Sequence, residues 1–397
     1  MSWELKSFDE LGFIGRGKSR HRPRNDERLY NGLYPLIQTS EIQEANLYIN
    51  SYSKTYNEFG LSQSKLWSEG TLCLSIVGAN TAETAILGFD SCFPDSVIGF
   101  NAFENVSDNL FIKYLFDFIK VELKSISEGT ARENLSLEKL LSRKREVPNF
   151  QTQKRIASIL SAYDDLIENN LKRIKLLEET VQNIYKEWFV NFRFPNYENT
   201  LINQETGLPI GWEMKRVIDF FEFTKGIEVG SANYENHPNY ENLPFLRVGD
   251  ISKRDGGIYV QKSLVKDKIV EKSDILISFD GSIGSVGFGL EGSYSSGLRK
   301  INSKVGLYGK GFTFCLVKSE SIQNTIKSHA KGTTILHAGT SIVHLEFPLA
   351  TDEIMLDFNQ ISNPIFEQLV RLTSQNQKLK EARDILLPRL MNRTIKV

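Results

Sequence analysis

The chain has 397 residues, 40% hydrophobic and 24% charged, with a formal net charge of −1. These values exclude gross disorder and a globally basic nucleic-acid-binding domain, and the length asks for two or three folding units, two being the better starting point. Three dispersed cysteines without a CxxC pair exclude a disulfide framework, and no apolar run reaches the roughly 18 residues of a membrane span.

The opening Met1-Ser2-Trp3-Glu4 leads into no apolar signal core, so a cytoplasmic protein is expected. Residues 1–150 read as a first globule, in which short β-type runs such as 72–77 alternate with Gly/Ser/Asn turns and a brief helical stretch at 110–123. The strands are too closely spaced for a doubly wound sheet, so the class is α+β. Arg16, Lys18, Arg20, Arg22, Arg24 and Arg28 crowd one polar loop, offset within it by Asp26 and Glu27. A strand containing Pro35 is expected over 34–42, close to that loop and carrying Gln38 and Thr39. Lys139, Arg143, Lys144 and Arg145 make a second basic patch, which spacing assigns neither to phosphate nor to a partner.

A long helix is expected over 151–191. Leu160, Ile167, Ile174, Val181 and Trp188 recur every seven residues, and Tyr163, Leu177 and Ile184 form a second series interrupted by Asn170. This spacing is that of a coiled-coil seam, in which Asn170 reads as a register-setting polar residue. The aromatic cluster Trp188, Phe189, Phe192 and Phe194 suits a cap on the helix, a partner contact or a small core. Residues 192–211, rich in Asn, Pro and Gly, form a connector.

Residues 212–350 then repeat the first globule. Trp3-Glu4-Leu5-Lys6 returns as Trp212-Glu213-Met214-Lys215, 209 residues on, and Gly17 falls on Gly226. At the same displacement Pro35, Glu41 and Ile42 fall on Pro244, Asp250 and Ile251. Gly70-Thr71-Leu72-Cys73-Leu74-Ser75 meets Ser273-Asp274-Ile275-Leu276-Ile277-Ser278 at a displacement of 203, as does Gly129-Thr130 with Gly332-Thr333, and Val147-Pro148 meets Phe347-Pro348. Matches in this order mean duplication.

A second helix is expected over 351–397, starting or restarting at Pro364. Phe358, Ile365, Leu372, Leu379 and Leu386 lie seven apart, with Ile361, Gln368, Gln375 and Ala382 on the second position. Two single-stripe helices in one chain bury both stripes by pairing antiparallel, which would set two globules at opposite ends of a rod with pseudo-two-fold symmetry. About 35 helical residues would give a spacer of roughly 50 Å. The competing reading packs each helix on its own globule.

Leu243-Pro244-Phe245-Leu246-Arg247-Val248-Gly249-Asp250-Ile251, Ser273-Asp274-Ile275-Leu276-Ile277-Ser278, Gly281-Ser282-Ile283-Gly284 and the ending Glu381-Ala382-Arg383-Asp384-Ile385-Leu386-Leu387-Pro388-Arg389-Leu390-Met391 together resemble the specificity subunits of type I restriction-modification systems. The resemblance covers nearly the whole chain. It implies two target recognition domains that each read half of a split, asymmetric double-stranded DNA target. It implies that the paired helices set the spacing and dock two adenine-N6 methyltransferase subunits, that restriction subunits join, and that the chain performs no chemistry.

Residues 1–150 hold 17 Lys and Arg against 20 Asp and Glu, and residues 212–350 hold 17 against 15, so any DNA surface must be a local patch. Arginine suits guanine edges, Asn and Gln suit adenine, and cations of either kind suit phosphates. The first globule offers Arg16, Lys18, Arg20, Arg22, Arg24, Gln38 and Thr39. The second offers Lys225, Arg247, Asp280, Ser282, Arg299 and Lys300. For both sets ordinary loop polarity is the competing reading.

No cofactor or metal is expected. The histidines show no ligand spacing, and Phe194-Pro195-Asn196-Tyr197 and His237-Pro238-Asn239-Tyr240 lack the (N/D)PP(Y/F) loop of an adenine methyltransferase. Gly12-Phe13-Ile14-Gly15-Arg16-Gly17-Lys18-Ser19 matches GxxxxGKS, but its charged, proline-broken flanks supply neither the strand before nor the helix after that a phosphate loop needs. Gly287-Phe288-Gly289-Leu290-Glu291-Gly292 fits GxGxxG, yet a turn or hairpin is expected there. The alternatives left standing are a coiled-coil scaffold that does not recognise DNA and an ATP-using enzyme built on the GxxxxGKS string.

Overall fold

In each half of the chain a pair of short strands delivers the backbone into a long helix. The computed structural model describes residues 3–128, 134–253, 256–332 and 336–397. In it Trp3–Lys6 pairs antiparallel with Arg145–Pro148, setting Trp3 opposite Pro148. Glu213–Arg216 pairs likewise with Glu346–Leu349, setting Met214 opposite Pro348. The chain divides into two units, Met1–Asn169 with Leu379–Val397, and Asn170–Lys378. The division falls inside the two long helices, Phe150–Phe189 and Asp352–Met391, so each unit holds one globule and a part of each helix.

The first unit has a sheet in the order Gly12–Arg16, Val97–Ala102, Leu72–Ser75, Thr84–Leu87, Tyr48–Ile49, and another in the order Lys54–Tyr56, Tyr30–Leu36, Ser91–Cys92, Leu66–Trp67. The second unit has Phe221–Lys225, Leu298–Ser303, Ile275–Ser278, Val286–Gly287, and then Tyr259–Gln261, Asn242–Leu246, Gly292–Tyr294, Ile269–Val270. Apart from the short Tyr48–Ile49 strand, the two orders are the same. Leu72–Ser75 and Ile275–Ser278 are buried at every residue, because each sits centrally in its sheet with both faces covered. The match of Gly129-Thr130 with Gly332-Thr333 lies outside the described residues, except for Gly332.

The structure supplies physical reasons for the repeated residues. Gly17 and Gly226 occupy the same place: a Cβ would stand 2.3 Å and 2.4 Å from the carbonyl oxygens of Phe93 and Pro94 in one copy, and 2.2 Å and 2.4 Å from those of Ser295 and Tyr294 in the other. The proline-containing strand is shorter than expected. It ends at Leu36, and Thr39–Glu44 is a helix, just as Asn242–Leu246 is followed by the helix Val248–Lys253. Side-chain capping is the cause, since Glu41 accepts the Gln38 N–H at 3.1 Å and Asp250 accepts the Arg247 N–H at 2.8 Å. Ile42 and Ile251 then bury beneath the helix. The expected helical stretch at 110–123 is two helices, Asn109–Phe118 and Lys120–Glu128.

The helices correct the sequence reading in two ways. The second begins at Asp352 and runs through Pro364, because its packing, rather than a proline-led first turn, fixes its start. Its seam is also shifted. Phe358 and Leu372 are buried and Ile365, Leu379 and Leu386 half-buried, but Ile361 and Gln375 are exposed. The other buried series is Met355, Ser362, Leu369, Asn376 and Leu390, with Arg383 between. Ser362 is favoured because Gly311 crosses the helix there, so closely that a Cβ would lie 2.3 Å from the Ser362 backbone. In the first helix Leu160, Ile167, Ile174, Val181 and Trp188 are all buried.

Helix pairing and packing on a globule occur together. In the second unit Ile174, Val181 and Trp188 share one core with Phe358, Leu369 and Leu372, and the same core takes in Phe288, Phe312 and Phe314 of the globule. In the first unit Ile156 and Leu160 share a core with Leu390 and Met391 as well as Phe8 and Phe111. In the second unit the run is antiparallel: Asn170 meets Asn376 while Trp188 meets Phe358. The aromatic cluster at the end of the first helix is core, with Phe189 5.0 Å from Phe358 and Phe194 stacked 5.3 Å from Trp212.

Asn170 donates to the Asn376 amide oxygen at 2.9 Å, with both side chains buried. Asn170→Leu strands the Asn376 amide and is expected to cost about 1–2 kcal/mol. Replacing both with leucine removes the stranded group, so the double variant should be more stable than the single one in urea denaturation.

Candidate nucleic-acid interface

The basic loop of the first globule follows the Gly12–Arg16 strand, and most of its cations are already engaged. Asp95, brought in from the turn before Val97–Ala102, pairs with Arg24 and lies 3.9 Å from Arg22. Its backbone carbonyl accepts from Arg16 Nε at 2.9 Å and Nη2 at 2.6 Å. Arg28 is bound to Asp26 at 2.7 Å, which together with His21 holds that carboxyl well below its ordinary range. Lys18 and Arg20 remain exposed, with no side-chain hydrogen bond or ion pair among the described residues. Gln38 and Thr39 stand half-buried at the start of the Thr39–Glu44 helix, and the Thr39 carbonyl accepts from Asn80 at 3.2 Å, tying this helix to the turn after the central strand.

The second globule builds the corresponding edge from different side chains. Lys225 ends its strand directly opposite Arg299. Arg299 Nη1 donates to the Ser296 carbonyl at 2.6 Å, the position equivalent to Asp95, so an arginine from another strand satisfies the same turn. Burial lowers the Arg299 pKa, against the opposing charge of Asp280. Asp280 receives His337 Nδ1 at 2.6 Å, and the Ser282 side chain is exposed beside it. Arg247, half-exposed, is held to Asp250 at 3.2 Å, and the following Val248 packs against Gly281 and Gly297. Lys300 turns to the other face of its strand, where it donates to the Ile269 carbonyl at 2.8 Å and lies 3.5 Å from Asp274.

Sequence reasoning missed two neighbours of these clusters. His337 lies 57 residues from its partner Asp280, and nothing local marks the pairing. Lys65 belongs beside Lys18 and Arg20, since Ser64 Oγ donates to the Lys18 carbonyl at 2.9 Å and the Arg20 N–H to the Gln63 carbonyl at 3.1 Å. The only advance signal was a lysine two residues before Trp67. In the second basic patch three of the four cations are paired, Arg143 and Arg145 with Glu122 and Lys144 with Glu10.

No strand leads directly into the GxxxxGKS string: the short helix Phe8–Leu11 precedes it, and its own first five residues, Gly12–Arg16, form a strand. The amides of Gly17 and Lys18 are spent on the carbonyls of Val97 and Phe93, and no helix follows until the three-residue turn Glu27–Leu29. In the GxGxxG string Phe288 is core, and Gly292 presses on the Pro244 carbonyl. Among the described residues no group of three or more His, Cys, Asp or Glu could hold a metal ion, and no helix is long and apolar enough to cross a membrane.

Residues 2–179 and 209–382 each match the family model described as the type I restriction modification DNA specificity domain. The MjaIX specificity subunit of Methanocaldococcus jannaschii is 25% identical, the match covering 98% of this chain and 92% of that one. The HindI specificity subunit of Haemophilus influenzae is 24% identical over 62% of this chain and 68% of its own. Among solved structures, the type I S subunit from M. genitalium superposes with a TM-score of 0.56 at 15% identity, covering 98% of this chain and 96% of that one. With a duplicated globule, two long helices and a family match on both halves, the chain belongs to the type I restriction-modification DNA specificity subunits, which are non-catalytic.

Proposed function

We propose that the two globules read different halves of one bipartite, asymmetric DNA target. The observation that carries this reading is that both keep one strand framework while the side chains on the equivalent edge differ. The first presents exposed Lys18 and Arg20, with half-buried Gln38 and Thr39 at the start of the Thr39–Glu44 helix, and the second presents Lys225, Arg247, Asp280, Ser282 and Arg299. Unpaired cations suit phosphates, and the arginine, amide and carboxylate groups suit base edges. Arg16, Arg22 and Arg24 shape the first loop through Asp95, and Lys300 stabilises the second sheet.

The paired helices act as the spacer between the half-sites. They also dock two adenine-N6 methyltransferase subunits, to which restriction subunits add, in the cytoplasm.

Mapping methylated adenines in a genome carrying this chain with its methyltransferase subunit tests the reading. A split motif is expected. Arg20→Ala should relax the first half only and Arg247→Ala the second only, each by roughly 10- to 100-fold in discrimination at one base position. Loss of both halves in either variant, or methylation without a sequence motif, overturns it.

A further inference from the structure

A lysine outside the basic loop sits on an aromatic platform. Lys65 Nζ lies 3.7 Å from the centre of the Trp67 ring and 4.5 Å from that of Phe13. Trp67 is pinned to the sheet, because the side it covers carries glycines: a Cβ on Gly99 would stand 2.7 Å from the indole. Phe93 stacks on it at 4.8 Å. Phe13 is 49% exposed, so the platform opens to solvent.

No carboxylate answers this ammonium among the described residues. Its charged neighbour is Lys18, and burial together with that like charge lowers the Lys65 pKa. A cation held in place, partly stripped of water and repelled by another cation is a ready site for an external anion. The 62–65 segment is bonded to the 18–20 backbone, so the anion it meets is one that also passes Lys18 and Arg20.

We infer that Lys65, carried on Phe13 and Trp67, contacts a backbone phosphate of the DNA at the first half-site, a contact that the second globule does not reproduce. The inference rests on the DNA-reading role proposed above. In the second copy the equivalent positions are Glu222 for Phe13, Val270 for Trp67 and Lys268 for Lys65. The platform is therefore absent there, and Lys268 lies 3.3 Å from Asp267. A phosphate contact adds affinity without sequence information.

The test uses the full chain in complex with its methyltransferase subunits, titrated against its mapped target at several salt concentrations. Lys65→Gln should weaken binding roughly threefold to tenfold at low salt and flatten the plot of log K against log salt by about 0.9. Base preference at both half-sites and the Tm should stay as in the unaltered complex. Lys65→Arg should restore the slope, and Lys268→Gln should leave it unchanged.

An unaltered slope in Lys65→Gln overturns the phosphate contact, and altered base preference in the first half overturns its backbone character. An equal flattening in Lys268→Gln overturns the asymmetry. If the unaltered complex itself shows no salt-dependent binding, the DNA-reading role falls and this contact with it, an outcome distinct from the other three.

Discussion

Arg383→Ala should destabilise the first unit by about 3–5 kcal/mol, the cost typical of stranding one member of a buried ion pair. Asp164 is the partner left behind. Its side chain is completely buried at the helix seam, where it accepts from Tyr114 Oη at 2.6 Å and from the Arg383 guanidinium. Burial opposes the charge on Arg383, but Asp164 and Asp384 outweigh it and raise the Arg383 pKa. For a unit of this size the loss corresponds to a fall in Tm of roughly 10 °C. Arg383→Ala with Asp164→Asn should recover most of it, since a neutral amide still accepts from Tyr114 without an unpaired charge. If the double variant melts as low as the single one, the loss comes from arginine packing and not from the stranded carboxylate.

Gly226→Ala should cost about 3 kcal/mol, the upper part of the range for overpacking, because the added methyl meets two backbone carbonyls rather than a side chain that can swing away. The strand end bearing Lys225 must then separate from the turn that holds Ser296 and Arg299. The second half-site should lose its base preference while the first keeps it. Gly17→Ala should do the reverse through the carbonyls of Phe93 and Pro94. Methylome sequencing of both variants reads this directly. Loss of the same half-site in both would show that the two glycines do not serve separate recognition edges.

The residues that could be read ahead of the structure are those whose role is local or periodic. Glu41 and Asp250 kept register because each caps the helix three residues after its partner amide, and Gly17 and Gly226 because no other residue fits against the carbonyls. The first series of the long helices emerged from its seven-residue period. Ser362 did not, since it lies on the buried face through the close crossing of Gly311, and hydrophobicity pointed to Ile361 instead. Pro364 misled for a related reason: a proline tolerated within a packed helix carries the same sequence signal as one that starts it.

The basic loop shows the same boundary at the site. Arg16, Lys18, Arg20, Arg22, Arg24 and Arg28 look equivalent as a string, and the acidic residues within that string are Asp26 and Glu27. Asp95 removes three of them from service across 71 to 79 residues, and His337 reaches Asp280 across 57. Long-range partners of this kind decide which charges stay available, and a periodic or capping signal carries no trace of them.

The duplication, the α+β framework, the pair of long helices and the absence of a methyltransferase loop were legible in the residues alone, because each rests on residues close together or regularly spaced. It took the tertiary structure to show which cations remain unpaired, that each helix packs on a globule as well as on its partner, and that the segment before Lys65 is bonded to the backbone of Lys18 and Arg20. Those outcomes depend on groups that meet only after the chain has folded, where a distant carboxylate or an aromatic ring changes what a lysine or arginine has left to bind.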